Sequence, residues 1–202
     1  LKVSKEHKLL DLGCGAGKIT EHLFHKTKAH VTGLDYANEA IKAAQKRNTH
    51  NKDIEFIVGN MDDLEFPTSS FDIILAIDTL YFASNMSNTI RAIRQCLRPR
   101  GKFAAFWSQI CQENDSTQNL SPQTTDLAKA LADNGFHYET IDQTQHEIKM
   151  WKRSIELMIQ LKDDFEAEGH IGICLSRLRE GKEHLKKYET RRMARYRYIA
   201  WQ

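Results

Sequence analysis

Leu9-Leu-Asp-Leu-Gly-Cys-Gly-Ala-Gly-Lys-Ile-Thr20 is the stretch from which the rest of the chain can be read. The apolar run Leu9–Leu12 has the character of a buried strand, and a helical pattern follows the glycines. Gly13, Gly15 and Gly17 lie between the two. Residues without Cβ can take positive φ and let the backbone approach a ligand closely. A helix that starts there offers unpaired N–H groups and a partial positive charge. Strand, glycine turn and helix together make a nucleotide-binding corner.

The dinucleotide fingerprint G-x-G-x-x-G would need its third glycine at position 18. That position is Lys18, and the glycine stands one place early. Asp11 precedes the first glycine by two residues. A carboxylate there suits a ligand with an ammonium group and would repel a pyrophosphate. Leu-Asp-Leu-Gly-Cys-Gly-Ala-Gly closely resembles the first motif of the class I S-adenosylmethionine-dependent methyltransferases.

Working outward, His30–Asp35 reads as a second strand ending on a carboxylate about twenty residues beyond the glycine turn, where an acid can accept from ribose hydroxyls. The alternative for Asp35 is a helix cap, but Asn38 stands nearer the Ala-rich helix and is the better cap candidate. Ile54–Val58 reads as a third strand, followed by Gly59-Asn-Met-Asp62. Phe71–Asp78 is nearly all apolar, as in a central parallel strand. An amphipathic helix, Ser87–Leu97, leads through Leu97-Arg-Pro-Arg-Gly101 into a fifth strand, Lys102–Trp107. Residues 115–125 lack periodicity and read as a mobile loop. Ser121-Pro122 opens a helix that stops at Asn134-Gly135, and Phe136–Asp142 is a sixth strand. Gln145–Glu168 and Cys174–Glu189 read as two helices, the first with an apolar stripe of Ile148, Trp151, Ile155, Met158, Ile159 and Leu161. Met193–Trp201 alternates as a closing strand.

The Gly59–Asp62 segment, the Phe-Asp opening of the fourth strand and the Leu-x-Pro-x-Gly turn resemble the same methyltransferase family. The resemblance covers residues 8–142 by motif and the remainder weakly. It implies an α/β, Rossmann-like doubly wound sheet of seven strands, mostly parallel. The last strand is antiparallel and lies between the fifth and sixth. Residues 1–202 would form a single methyltransferase domain, with residues 145–189 a helical insertion, or lid, between strands six and seven. It also implies S-adenosyl-L-methionine as cofactor. Gly13, Cys14 and Gly15 would line its methionine and ribose, Asp11 would sit near its amino group, and Asp35 would hold the ribose. Tyr36 would flank the adenine, Asn60 and Met61 would address its edge, and Ile77 would turn a backbone carbonyl to the methionine end. In the family a carboxylate accepts from the adenine amino group at the position of Asn60. An amide oxygen can accept the same bond without charge assistance. Met61 has core packing as its alternative.

Composition sets the outer limits. The chain has 202 residues, enough for one α/β domain, and a formal net charge of +2, which calls for neither nucleic acid nor an anionic membrane. Cys14, Cys96, Cys111 and Cys174 are scattered without a C-x-x-C pair, as in reduced cytoplasmic proteins, and no metal site is expected. The nine histidines have no ligand spacing either. No segment is apolar enough to span a bilayer. The chain begins at Leu1, close to its first strand, and is expected to lack an N-terminal piece.

The expected reaction is methyl transfer to a small-molecule acceptor by in-line displacement, which chiefly needs the acceptor held at the right distance and angle. Asp78, Tyr81 and, on the inserted helix, Trp151 are candidate acceptor contacts. Asp78 has a turn or cap as its alternative, while Tyr81 and Phe82 are expected to pack in the core. No catalytic residue is singled out. The basic run from Arg177 to Arg197 reads as a solvated helix face offset by Glu180, Glu183 and Glu189. An RNA methyltransferase using that run, or a non-catalytic partner subunit that kept the fold, are the rival readings.

Overall fold

A computed structural model describes residues 2–112 and 115–202. Seven strands form one sheet in the order β3-β2-β1-β4-β5-β7-β6. They are β1 (Lys8–Leu12), β2 (His30–Asp35), β3 (Ile54–Val58), β4 (Phe71–Ile77), β5 (Leu97–Ile110), β6 (His137–Asp142) and β7 (Met193–Trp201). Six run parallel and β7 is antiparallel, as expected. The helices are α1 (Lys18–Thr27), α2 (Asn38–Arg47), α3 (Met86–Cys96), α4 (Asp126–Asp133), α5 (Thr144–Gln160), α6 (Lys162–Ala167) and α7 (Ile171–Glu189).

The chain falls into two compact units. The first comprises Leu1–Trp107, Asp126–Thr140 and Arg197–Gln202. Here β1 pairs in parallel with both β2 and β4, which places Asp11 level with Gly33 and Leu75 at the centre of the sheet. Leu9, Ala29, Val31 and Ile73 form one buried cluster, and Cys14, Ile41, Ala44, Ile54 and Phe56 another, with Phe24 of α1 packed against both. Helix α3 buries Ile90 and Ile93 completely, each contributing about 1.5–3 kcal/mol by removal from water. Asn85 caps it by accepting from the Asn88 N–H at 3.0 Å.

The second unit comprises Ser108–Thr125 and Ile141–Tyr196. Helices α5 and α7 pack together through Trp151, whose indole meets the His184 ring edge-on with centroids 5.0 Å apart. Gly181 makes room for it, since a Cβ there would come within 3.2 Å of both Trp151 and Ile155. Met158 lends its carbonyl to the Cys174 thiol at 3.3 Å. Arg195 of β7 is buried and donates to Glu147 of α5 at 3.1 Å and to the Ser108 hydroxyl at 2.9 Å.

Several sequence expectations are corrected. The Leu97–Gly101 turn lies within β5. Phe71 pairs with Leu97 but Ile73 with Lys102, so the intervening residues bulge out around Arg100 at φ 67°. Residues 115–125 are not featureless. They hold two 3-10 turns, Thr117–Leu120 and Pro122–Thr124, and Tyr196 donates its hydroxyl to the Leu120 carbonyl. Pro122 therefore opens a 3-10 turn, and α4 starts only at Asp126. The helix expected over Gln145–Glu168 divides at Leu161 into α5 and α6, and Gly172 lies inside α7, where His170 precedes the first turn.

Candidate functional site

The glycine turn is built by its backbone. Gly13 and Cys14 both donate N–H to the Leu34 carbonyl, at 2.7 and 3.0 Å, so β2 holds the loop that leaves β1. Gly13 has φ 74°, and a Cβ there would stand 1.9 Å from the Thr79 hydroxyl oxygen. Gly17, at φ 79°, is the residue before α1, and a Cβ on it would press into the Phe56 ring and Ala44. From the end of α2, Arg47 donates to Glu21 of α1 at 3.1 Å and to the Ala16 carbonyl inside the loop.

Both acids singled out in the sequence are held at this turn. Asp35 Oδ2 accepts from the Gly15 N–H at 2.7 Å and Oδ1 from the Ala37 N–H at 2.9 Å. Asp35 thus leads the chain towards α2 through its own carboxylate, and Asn38, expected as a cap, is instead the first residue of the helix. Asp11 is 2 % exposed and accepts from the Thr20 hydroxyl at 2.6 Å. Burial pushes its carboxyl up, the Thr20 bond works against this, and the nearby Asp35 charge adds to it. The same burial, with the Asp11 and Asp35 charges, drives the Cys14 thiol to about 12.

A cavity of about 400 Å³ opens at the carboxyl ends of β1, β2 and β3. It brings together Gly13, Asp35, Tyr36, Asn60 and Met61, five of the nine cofactor residues expected from the sequence. Cys14, Gly15, Asp11 and Ile77 are not on its wall; the first three lie in the turn and strand beneath it. Leu34, Gly59, Asp62 and Phe82 complete the lining. Tyr36, 72 % exposed, and Phe82, 71 % exposed, offer two accessible rings. Asn60 Oδ1 already accepts from the Asp62 N–H at 3.0 Å, which fixes the side chain across its own turn. Met61 is buried as well as lining the cavity.

Strand β4 ends in a left-handed residue, Asp78, at φ 53°. An acid tolerates this conformation better than most side chains. The turn sends buried Thr79 over Gly13 and continues as a 3-10 turn, Leu80–Phe82, anchored by buried Leu80. Asp78 is exposed. Tyr81 and Phe82, expected in the core, are both exposed, because Leu80 alone of the three faces inward. Tyr81 stacks on Trp107 at a centroid distance of 4.5 Å. Trp151, expected at the acceptor, packs in the α5–α7 seam, its ring beside His184 and over Gly181. Leu34, Gly59, Asp62 and Phe82 line the cavity without being among the expected cofactor residues, Asp62 reading in the sequence only as part of its motif and Phe82 as core. The signal for Phe82 was an aromatic just past the carboxyl end of a central strand, where ligands bind.

Three cations of the basic run are engaged within the fold. Arg195 is buried against Glu147, Arg192 donates to the Gln112 and Asp115 carbonyls at 3.1 and 3.0 Å, and Arg177 pairs with Glu180 at 2.7 Å.

The sheet order is that of the methyltransferase Rossmann-like fold. Residues 10–105 match the family model described as a methyltransferase domain. Sterol 24-C-methyltransferase erg-4 of Neurospora crassa is 28 % identical over 62 % of this chain and 34 % of its own length. Arginine-hydroxylase NDUFAF5, mitochondrial, of Rattus norvegicus is 27 % identical over 76 % of this chain and 48 % of its own. This chain spans about a third of the first such curated relatives. A phosphoethanolamine N-methyltransferase 2 of Haemonchus contortus, solved with phosphomonomethylethanolamine and S-adenosylhomocysteine, superposes with a TM-score of 0.87 at 18 % identity, covering 100 % of this chain and 50 % of that one. Among the described residues, no helix is long and apolar enough to cross a membrane.

Proposed function

We propose that this protein is an enzyme that binds S-adenosyl-L-methionine and transfers its methyl group to a small-molecule acceptor by in-line displacement. The carrying observation is the convergence of Gly13, Asp35, Tyr36, Asn60 and Met61, from three separate motifs, on one cavity. The cavity suits an adenosine-sized group, and the Gly13 and Gly17 conformations leave no room for side chains where the loop passes beneath it. When bound, the cofactor supplies a methyl group already activated on a sulfonium.

The chain's own residues then have positioning tasks. Asp35, oriented by the Gly15 and Ala37 N–H groups, has lone pairs left for the ribose hydroxyls. Tyr36 flanks the adenine, and Asn60 and the Met61 backbone address its edge. Gly13, Cys14 and Gly15 contact the ribose and methionine parts, and the Ile77 carbonyl meets the methionine end. Asp11 lends negative charge near the ammonium from beneath the turn. Asp78 and Tyr81 serve the acceptor. Relatives named for small-molecule acceptors favour a small acceptor over RNA. Four buried thiols without a disulfide agree with a reducing, cytoplasmic setting.

The test is incubation with S-adenosylmethionine labelled in its methyl group and a fractionated small-molecule extract. Label in a metabolite, with stoichiometric S-adenosylhomocysteine, is the expected result. Because one relative is named as a hydroxylase, the product must be identified by mass. Oxygen gain without methyl gain would overturn the proposal, as would binding without turnover of any fraction.

A further inference from the structure

The Asp62 carboxylate ties together two segments that reach the cleft from different strands. Its Oδ2 accepts from the Ser84 N–H at 2.9 Å and the Ser84 hydroxyl at 2.6 Å. Its Oδ1 accepts from the Thr89 hydroxyl at 2.7 Å and takes a longer share, 3.2 Å, of the Ser84 N–H. On one side of this knot stand Asn60 and Met61, immediately before Asp62 and joined to it by the Asn60 side chain. On the other side Ser84 follows Phe82 by two residues, and Thr89 is fully buried on α3. Partial burial works against ionisation of Asp62, but the Ser84, Thr89 and Asn85 hydrogen bonds outweigh it and hold the carboxyl below its ordinary range. The knot is therefore charge-assisted at neutral pH.

Phe82 needs such a restraint. It ends a three-residue 3-10 turn with its ring 71 % exposed, so little packing fixes it. A ligand that had to order this turn on arrival would bind more weakly than one meeting a turn already in place.

We propose that Asp62 is a positioning residue for the S-adenosyl ligand. It holds the Phe82 ring against the Asn60–Met61 edge of the cleft and so sets the cleft's width before binding. This inference rests on the ligand assignment made above. Asp62 touches no reacting atom; it acts through Phe82.

The test is a double-mutant cycle of Asp62→Asn and Phe82→Ala, read by titration with S-adenosylhomocysteine well below each variant's unfolding temperature. Unfolding without ligand is measured in parallel. Asp62→Asn alone should weaken binding at least fivefold. In the Phe82→Ala background the same change should alter affinity less than twofold, while its effect on unfolding temperature persists. Full additivity, or a lowered unfolding temperature with affinity within twofold of the wild type, would overturn the proposal. Ser84→Ala removes one bond without touching the carboxylate and gives the same cycle if Asp62→Asn fails to fold. A wild-type protein that ignores S-adenosylhomocysteine would remove the ligand assignment itself. Normal wild-type binding with an unaffected Asp62→Asn would remove only the positioning role.

Discussion

The glycine-turn region and the helices α5 to α7 fix their polar side chains in different ways. Around the turn, backbone N–H groups do much of the holding. Gly15 and Ala37 orient Asp35, the Asp62 N–H orients Asn60, and the Ser84 N–H helps orient Asp62. In the helical region side chains hold one another, as in Glu147–Arg195, Lys152–Glu189 and Trp151–His184. At the turn itself the donor to Asp35 is Gly15, at φ 52°, between Gly13 and Gly17, which also take positive φ, so that part of the chain favours glycine at fixed spacing. A side-chain pair on a helix makes no such demand.

Gly13→Ala should be the most damaging change, because it combines a left-handed φ with a collision against buried Thr79. Together these should cost about 2–5 kcal/mol. Denaturant unfolding would measure the loss, and S-adenosylhomocysteine binding should disappear with it. A stable, binding-competent Gly13→Ala would break the contrast at its root.

Arg195→Ala should come next. It removes the guanidinium that faces the Glu147 carboxylate, whose side chain is only 15 % exposed, at a cost of up to about 3–5 kcal/mol. Proteolysis should then begin within α5 to α7 while the cleft still binds its ligand. Unchanged proteolysis would show that the helices depend less on this pair than the contrast requires.

The same difference explains what could be read in advance. Motifs at Gly13–Gly17, Asp35 and Gly59–Asp62, with the apolar run of β4, carry the family resemblance, and it is that resemblance which implies the sheet topology and five of the cavity residues. Phe82 reads as core in the sequence because an exposed and a buried aromatic look alike there, and burial of Leu80 decides between them only once the chain is folded. The apolar stripe that carries Trp151 has no visible partner in the sequence. Gly181, thirty residues further on, supplies that partner through a non-local contact. The Leu161 break between α5 and α6 has no Gly or Pro to announce it.

Asp11→Asn separates charge from shape, since an amide oxygen can still accept from Thr20. Burial raises the Asp11 carboxyl in the folded protein, so the native state holds that proton more tightly than the unfolded chain does. The stability this gives is complete below the ordinary carboxylate range and is lost as pH rises through the elevated value. The variant should therefore unfold at the same or a higher temperature than wild type at pH 7. It should still bind the ammonium-bearing cofactor about tenfold more weakly. A less stable variant with full affinity would place Asp11 among purely structural residues.

The smallest effect concerns Cys14. With its thiol near 12 and its side chain buried, it should resist iodoacetamide at pH 8 until the protein unfolds. Mass mapping of labelled peptides checks this, and rapid native labelling would mean that the turn opens.

Whether the cleft at Asp35 takes an S-adenosyl ligand is read by calorimetric titration of wild type and Asp35→Ala with S-adenosylmethionine, S-adenosylhomocysteine and NAD. The two S-adenosyl compounds should bind and NAD should not. The variant should lose about 10–100-fold in affinity, as expected for charge-assisted bonds of roughly 1.5–3 kcal/mol. Preference for NAD, or equal affinity in the variant, would contradict the S-adenosyl assignment.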